Sequence, residues 1–185
     1  MQEVENKYPG KVLEVYDNLF TYHEMRHYSQ FFPNSAFRVS GGDNIALNGR
    51  QEQIYARYEP TEIEKLGFST HPKIKEISIK HNLINRDIFQ MRCNLTTNSE
   101  KNFIHTDSYG ITLLYYANLE WKLEWGGHTL FMDDNLSEAK YVCLYKPGRL
   151  VVFDGSIPHM IMSPTNLCPV NRFSFAIHLG PVRGE

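Results

Sequence analysis

The stretch Arg149-Leu-Val-Val-Phe-Asp-Gly-Ser-Ile-Pro-His-Met-Ile-Met162 sets the pattern of the second half of the chain. Two short apolar runs flank the turn sequence Asp154-Gly155, which is typical of two strands joined by a short connection. The same pattern recurs from about residue 88 onward. It predicts eight strands, at residues 88–93, 103–107, 111–117, 128–132, 141–145, 149–153, 159–162 and 172–179.

Eight short strands in succession predict a mainly β fold with flanking helices, whose core is a double-stranded β-helix, a cupin-like jelly roll, over residues 88–180. Residues 1–87 combine a strand pattern at 12–16 with helical patterns, and we expect them to support this core. The chain of 185 residues is expected to be a single domain, 1–185, because two independent cores would each be small.

Three helices are predicted in the first half. The spacings Thr21-x-x-Glu24 and Thr61-x-x-Glu64 match the capping box that opens many helices. Pro72 is suited to the first turn of a third helix, since its missing N–H has no partner there in any case. The segments between these helices, residues 40–44 in particular, are expected to be loops.

Composition excludes several classes of function. The net charge is −2 and no basic stripe stands out, so binding to nucleic acid is not expected. The three cysteines, Cys93, Cys143 and Cys168, lack the spacing of a zinc site or a disulfide framework. A polar N-terminus and the absence of a run of about 18 apolar residues predict a cytoplasmic protein without membrane contact.

His105-Thr-Asp107 is the first indication of chemistry. In a strand, residues i and i+2 project to one face, so this imidazole and carboxylate can reach a single metal ion. His159, after the turn at Asp154-Gly155, is a candidate third ligand. Two histidines and one carboxylate leave coordination positions open on iron, as oxygen activation requires, whereas a structural zinc site is closed. Taken singly, these residues also fit a surface pair at a strand end and a hydrogen-bonded core histidine.

The stretch Arg172-Phe-Ser-Phe-Ala-Ile-His178 alternates without a break, so Arg172 and Ser174 share one face. If that face looks into the barrel, the guanidinium is a buried charge, and the carboxylate of a ligand is its natural partner. An arginine on the solvent face of an edge strand is the alternative. Tyr116 can place its hydroxyl beside the same carboxylate, or can be a core aromatic.

These motifs, in this order, resemble the Fe(II)/2-oxoglutarate dioxygenases of the prolyl 4-hydroxylase type over roughly residues 88–180. The matching elements are His105-x-Asp107, Tyr115-Tyr116-Ala-Asn118, Trp121, Gly126-Gly127, Lys146-Pro-Gly-Arg-Leu-Val-Val-Phe153, His159 and Arg172-x-Ser174. Many relatives carry a tyrosine on the strand before the H-x-D motif, near the proximal end of the co-substrate. At that place this chain offers Arg92, Cys93 or Asn94.

The resemblance implies an enzyme in which His105, Asp107 and His159 bind Fe(II). It implies hydroxylation of a C–H bond with 2-oxoglutarate and O2 as co-substrates and with release of succinate and CO2. Ascorbate is a further candidate cofactor. The favoured substrate is a prolyl or other residue in a peptide or protein, while a free amino acid or small metabolite fits equally well.

The resemblance also assigns the co-substrate site. Arg172 is expected to bind the distal carboxylate of 2-oxoglutarate, with Tyr116 beside it and with Ser174 and Thr112 as further contacts. Residues 41–58 and 94–102 are candidate segments for covering the site and selecting the substrate, or else are plain connections.

Three other functions compete with this hypothesis. The chain can be a non-catalytic jelly roll that binds a metal or small ligand, but such a protein has no need of Arg172 and Tyr116. Isomerases and dioxygenases of the cupin group usually place more histidines at the metal. The nucleic-acid demethylases of the same superfamily carry an Arg-x-Asn-x-Thr-x-Arg pattern that the stretch after Arg172 lacks.

Overall fold

The computed structural model describes residues 7–41, 52–100, 103–107 and 110–184. The helices are α1 (Tyr22–Phe31), α2 (Pro60–Lys65) and α3 (Pro72–Lys80), with 3-10 turns at Phe32–Asn34 and Leu123–Trp125. The strands are β1 (Leu13–Tyr16), β2 (Arg38–Gly41), β3 (Glu52–Arg57), β4 (Arg86–Thr96), β5 (Ile104–His105), β6 (Ile111–Tyr116), β7 (Thr129–Met132), β8 (Ala139–Cys143), β9 (Leu150–Asp154), β10 (His159–Ile161) and β11 (Arg172–Val182).

The strands form two antiparallel sheets. The major sheet has the order β1-β9-β6-β11-β4-β3-β2, and the minor sheet has the order β5-β10-β7-β8. Strands distant in sequence lie side by side in both sheets, which is the arrangement of a jelly roll. The predicted double-stranded β-helix is confirmed, and so are all eight predicted strands, with ends shifted by a few residues.

The two faces of the major sheet are buried for different reasons. One face packs on the helices through a large aromatic cluster that includes Phe32, Phe68, Tyr115 and Phe175. The other face meets the minor sheet through a second apolar cluster, which includes Phe131 and residues from β6, β9 and β11. Because side chains alternate along each strand, every second residue of β6 and β11 faces the space between the sheets. That face is called the inner face below.

Two predictions in the first half were wrong. Helix α2 begins at Pro60. Its capping box is formed by Glu59 and Glu62, two residues before the predicted pair Thr61 and Glu64, and the backbone N–H of Glu59 donates to Glu62 Oε2 at 2.8 Å. Proline at the first helical position already has a helical φ, so the helix starts closer to the N-terminus than a cap at Thr61 would allow. The predicted loop at 40–44 overlaps β2, which runs to Gly41, and its remaining residues lie outside the described ranges.

The two segments considered as covers of the site are partly strands. Strand β3 occupies Glu52–Arg57 within residues 41–58, and β4 extends through Thr96 within residues 94–102. Residues 42–51 and 101–102 lie outside the described ranges. The sheet is therefore wider than predicted, because β2 and β3 extend it beyond β4.

Candidate metal and co-substrate site

Pairing of β5 with β10 brings the predicted metal ligands together. His105 lies directly opposite His159 in this pair, and the two rings are 4.3 Å apart between centroids. Asp107 follows β5, where its backbone N–H donates to the carbonyl of Gly155 at 2.9 Å. The i, i+2 spacing places His105 next to Asp107, and the short turn before β10 brings His159 to them at one edge of the minor sheet.

The ligand atoms of His105, Asp107 and His159 all lie within 4.8 Å of one another. The carboxylate oxygens of Asp107 lie 3.8 Å from His105 Nε2 and 3.7 Å from His159 Nε2. Two ligands of one ion, each about 2.0–2.2 Å from it, are about 3–4 Å apart. The group therefore has the composition and spacing of a site for one metal ion with positions left open for other ligands.

Hydrogen bonds orient both imidazoles. His159 Nδ1 lies 2.9 Å from the carbonyl oxygen of Ile157, and His105 Nδ1 lies 3.4 Å from that of Phe103. A carbonyl oxygen only accepts, so each Nδ1 carries the proton and each Nε2 presents a lone pair toward Asp107. Burial, followed by the nearby His159, lowers the pKa of His105 to about 3, so this imidazole is neutral and able to bind a metal at neutral pH.

Two further side chains hold the carboxylate of Asp107. Thr112 Oγ1 on β6 donates to Asp107 Oδ2 at 2.7 Å, and His178 Nδ1 on β11 lies 3.4 Å from the same oxygen. Burial alone raises the pKa of this carboxyl, but interaction with His159 and His178 outweighs burial and holds the pKa well below its usual range. Asp107 is therefore an anion aimed at the metal position from a fixed support.

Arg172 is the largest fully buried side chain in the described part of the chain, with an exposure of 0%. Its Nε donates to the carbonyl of Gly127 at 2.8 Å, and its Nη1 donates to Ser174 Oγ at 2.8 Å. Its Nη2 is buried without a hydrogen-bond partner among the described residues. None of the carboxylates in the described ranges lies within ion-pair distance of this guanidinium, so its charge is buried without an ionic partner among those residues.

Two tyrosine rings and a glycine lie next to the guanidinium of Arg172. It lies over the rings of Tyr116 and Tyr145, 5.3 and 5.0 Å from their centroids. The hydroxyl of Tyr116 donates to Thr129 Oγ1 at 2.9 Å, and burial raises its pKa above the usual value. Gly127 has a φ of 72°, and a Cβ there would lie 2.9 Å from the ring of Trp121 and 3.3 Å from Arg172 Cδ. The glycine therefore allows its carbonyl to approach the arginine.

All seven site residues predicted from the sequence lie on β5, β6, β10 and β11 or directly beside them. The inner face of β11 carries Arg172, Ser174, Ala176 and His178 in turn, and only the two small side chains separate the arginine from the histidine that touches Asp107. Thr112 lies at the metal end, in contact with Asp107, rather than beside Arg172.

A cavity opens beside His105, and sequence reasoning missed part of it. Its lining includes Gln53, Arg92, Asn94, Glu100, His105 and Ile161. Of the three residues offered in place of the relatives' tyrosine, Arg92 and Asn94 line this cavity, whereas Cys93 packs in the core on the helix side. His178 was also missed as a site residue, although its alternation with Arg172 and Ser174 was the available signal.

Neither a comparison of the sequence with family models nor a comparison with curated proteins found a match. Solved structures do match. A prolyl-4-hydroxylase from Pseudomonas putida is similar with a TM-score of 0.64 at 13% identity, over 92% of this chain and 93% of that chain. A prolyl hydroxylase from Trichoplax adhaerens, in complex with a peptide fragment of the hypoxia inducible factor oxygen degradation domain, has a TM-score of 0.61 at 17% identity, over 91% and 83%.

A third similar structure is the non-heme alpha ketoglutarate dependent epimerase SnoN from nogalamycin biosynthesis, with a TM-score of 0.63 at 12% identity, over 92% of this chain and 79% of that chain. The chain thus has the fold of the 2-oxoglutarate and Fe(II) oxygenases, in the form found in prolyl 4-hydroxylases. The resemblance read from its motifs is confirmed at the level of the fold. Among the described residues, no helix is long and apolar enough to cross a membrane.

Proposed function

We propose that this chain is an Fe(II)- and 2-oxoglutarate-dependent dioxygenase that hydroxylates a C–H bond with release of succinate and CO2. The substrate is a prolyl or other residue of a peptide or protein, or a free amino acid. The observation that carries the proposal is the buried Arg172, whose Nη2 lacks a partner and which shares the inner face of β11 with the residues around Asp107. A protein that bound only a metal would have no use for this buried charge.

The donor set fits both groups. His105, Asp107 and His159 would hold Fe(II), and the arginine, supported by Ser174 and Tyr116, would hold the distal carboxylate of 2-oxoglutarate. Bound together with O2, these groups would supply the oxidising chemistry. Only the small side chains of Ser174 and Ala176 lie between Arg172 and His178 on this face of β11.

The chain's own residues position these groups. Thr112 and His178 fix the carboxylate of Asp107, and the carbonyls of Ile157 and Phe103 fix the two imidazoles. Tyr116 and Tyr145 cover the guanidinium with their rings and keep water from it, which strengthens its attraction for a carboxylate. Binding and orientation are thus the contribution of the protein, and no side chain is required as a general base.

The matched prolyl hydroxylases favour a peptide substrate, and the matched epimerase shows why the product must be identified chemically rather than assumed. O2 is the proposed oxidant, and addition of ascorbate to assays tests its part as an accessory reductant.

An anaerobic titration tests the proposal. Fe(II) is added to the protein without O2, followed by 2-oxoglutarate, and the visible spectrum is recorded. A weak charge-transfer band is expected, because a 2-oxo acid bound to iron through two oxygens absorbs there. Asp107→Ala is expected to bind no iron and to show no band. An iron-loaded wild-type protein without the band would contradict the proposal.

A further inference from the structure

The inner face of the sheet extension carries three arginines. Arg92 on β4, Arg57 on β3 and Arg38 on β2 form what we call the arginine face. In the strand register Arg57 lies directly opposite Arg92, and Arg38 lies opposite Tyr55, two residues before Arg57. Alternation places all three on one side, because Ala56 and Cys93 between them pack in the core on the helix side.

Like charges directly opposite on neighbouring strands destabilise a sheet, so the pair formed by Arg57 and Arg92 has a cost that its surroundings must offset. The partners found for Arg57 and for the neighbouring Arg38 are neutral. Arg38 and Arg57 lie over the ring of Tyr55, with Cζ 5.1 and 5.5 Å from its centroid. The amide oxygen of Gln90, in the orientation that satisfies its neighbours, accepts from Arg57 Nε at 3.1 Å and from Nη2 at 3.2 Å.

Among the described residues, no carboxylate forms an ion pair with Arg38 or Arg57. Both side chains are exposed, although the protein as a whole is slightly acidic. Within the described part of the chain, the positive charges of Arg38 and Arg57 are therefore held by neutral groups and are not paired with a carboxylate. Rings and amides keep the guanidinium planes in place while leaving their charge available to an anion.

The arginine face is continuous with the metal site. Arg92 lines the cavity that His105 also lines, together with Gln53, whose Oε1 accepts from Arg92 Nη1 at 3.4 Å. Strand β4 is next to β11, and β3 follows β4. Since neighbouring strands are about 5 Å apart, Arg57 stands about 10 Å from the strand that carries Arg172 and His178.

The cavity also contains one carboxyl group, that of Glu100. Burial raises the pKa of Glu100 to about 7, so this group is only partly ionised at neutral pH. Arg92 remains fully charged there, and Arg57 and Arg38 extend the positive charge outward. The balance of charge along this path favours an anion over a cation.

We infer that the substrate carries an anionic group, a carboxylate or a phosphate, which binds to Arg57 with Arg38 and Arg92 on either side, while the carbon to be oxidised lies next to His105. The inference rests on the proposed oxygenase function, and it narrows the substrate class. In a peptide, a side-chain or terminal carboxylate that reaches Arg57, two strands from β11 in the major sheet, satisfies the inference, and an acid group on a small molecule satisfies it equally.

Matched ligands test this inference. Three pentapeptides with central proline are compared, with aspartate, asparagine or lysine at the four flanking positions, and free acidic amino acids are compared with their amides. Succinate release by the Fe(II)- and 2-oxoglutarate-loaded enzyme is measured. The aspartate peptide and the free acidic amino acids are expected to be substrates of the wild-type enzyme. In Arg57→Gln their KM is expected to rise roughly 10-fold, because one charged hydrogen-bond donor is lost, while kcat changes little. Arg26→Gln removes the same charge from an exposed position on α1. It is the control and is expected to leave KM unchanged.

Binding without turnover separates failure of this inference from failure of the proposed function. With 2-oxoglutarate and Mn(II) saturating the site, inorganic phosphate and the aspartate peptide are titrated into wild type, Arg57→Gln and Arg26→Gln. Phosphate reports on the anion site without requiring a peptide. Binding that weakens about 10-fold in Arg57→Gln alone supports the inference even where no succinate appears. Equal binding of aspartate and asparagine peptides, with phosphate binding insensitive to Arg57→Gln, would overturn it.

Discussion

Two arginines are buried in the part of the jelly roll that the structure describes, and their surroundings differ in charge. Arg149, 9% exposed, donates from Nε and Nη2 to the two carboxylate oxygens of Asp17 at 2.8 and 2.9 Å, and from Nη1 to the carbonyl of Leu144. Arg172, 0% exposed, has a carbonyl, a hydroxyl and two aromatic rings, but none of the carboxylates in the described ranges pairs with it.

The difference teaches how to separate structural charge from functional charge. A buried guanidinium costs several kcal/mol unless it is paired, and the fold supplies that pair for Arg149 by joining β9 to the chain just after β1. At Arg172 the hydrogen-bond partners are neutral, Glu100 interacts with the guanidinium without forming an ion pair, and Nη2 has no partner among the described residues. Arg149 is therefore paired within the fold, whereas Arg172 is available to the carboxylate ligand proposed above.

The largest effect is expected from Arg172→Met. Loss of a two-pronged charged contact is expected to weaken 2-oxoglutarate binding by about 100-fold or more, corresponding to about 3 kcal/mol. Iron binding is expected to persist. The free energy of unfolding without ligand is expected to stay within about 1 kcal/mol of wild type, because a desolvated, unpaired charge is removed. Calorimetric titration and urea unfolding measure the two quantities, and strong destabilisation of the ligand-free variant would show that Arg172 is structural.

Arg149→Met is expected to behave in the opposite way. It leaves the part-buried Asp17 with only Lys146, at 3.0 Å, so the free energy of unfolding is expected to fall by about 2–3 kcal/mol. Affinity for 2-oxoglutarate is expected to remain unchanged. Arg183→Gln, which breaks the exposed pair with Asp87, is the control and is expected to cost less than 1 kcal/mol. Equal effects of Arg149→Met and Arg172→Met on unfolding and on 2-oxoglutarate affinity would contradict the distinction between a structural and a ligand-binding arginine.

A smaller effect is expected from pH. Hydrogen bonding from Arg149 lowers the pKa of Asp17 from 3.8 to about 2. Because the folded-state pKa lies below the unfolded value, this carboxylate stabilises the protein above about pH 4, and the contribution is lost as pH falls toward 2. With solvent screening of this part-exposed group, we expect about 1–2 kcal/mol. The difference in unfolding free energy between wild type and Asp17→Asn should shrink over that range, and a constant difference would argue against the pairing.

Much of the second half follows from local patterns. Alternation along β6 and β11 correctly grouped the side chains that share a face, because successive side chains in a strand point to opposite sides. Which face looks inward follows from the packing of the two sheets, since both faces are buried. The i, i+2 rule placed His105 and Asp107 together because of the same alternation. Their meeting with His159 needed the pairing of β5 with β10, which no local pattern contains.

Some features of the fold and the site leave no mark in local sequence patterns, for identifiable physical reasons. Strands β2 and β3 were overlooked because their inner faces carry arginines, glutamine and tyrosine toward an open cavity, so no apolar run marks them. The contact of His178 with Asp107 depends on β11 lying beside β6, across a long separation in sequence. Long-range neighbours of this kind follow from the topology of the sheet rather than from residue types.

Strand β5 is only two residues long and is joined to β10 by two residue pairs. An ion bound by His105 on one strand and His159 on the other would act as a cross-link between them, adding coordination bonds where hydrogen bonds are few. Metal binding would then be coupled to local unfolding of β5, because this strand carries His105 and would itself be held in place by the bound ion. Amide hydrogen exchange at Ile104 would report that coupling directly.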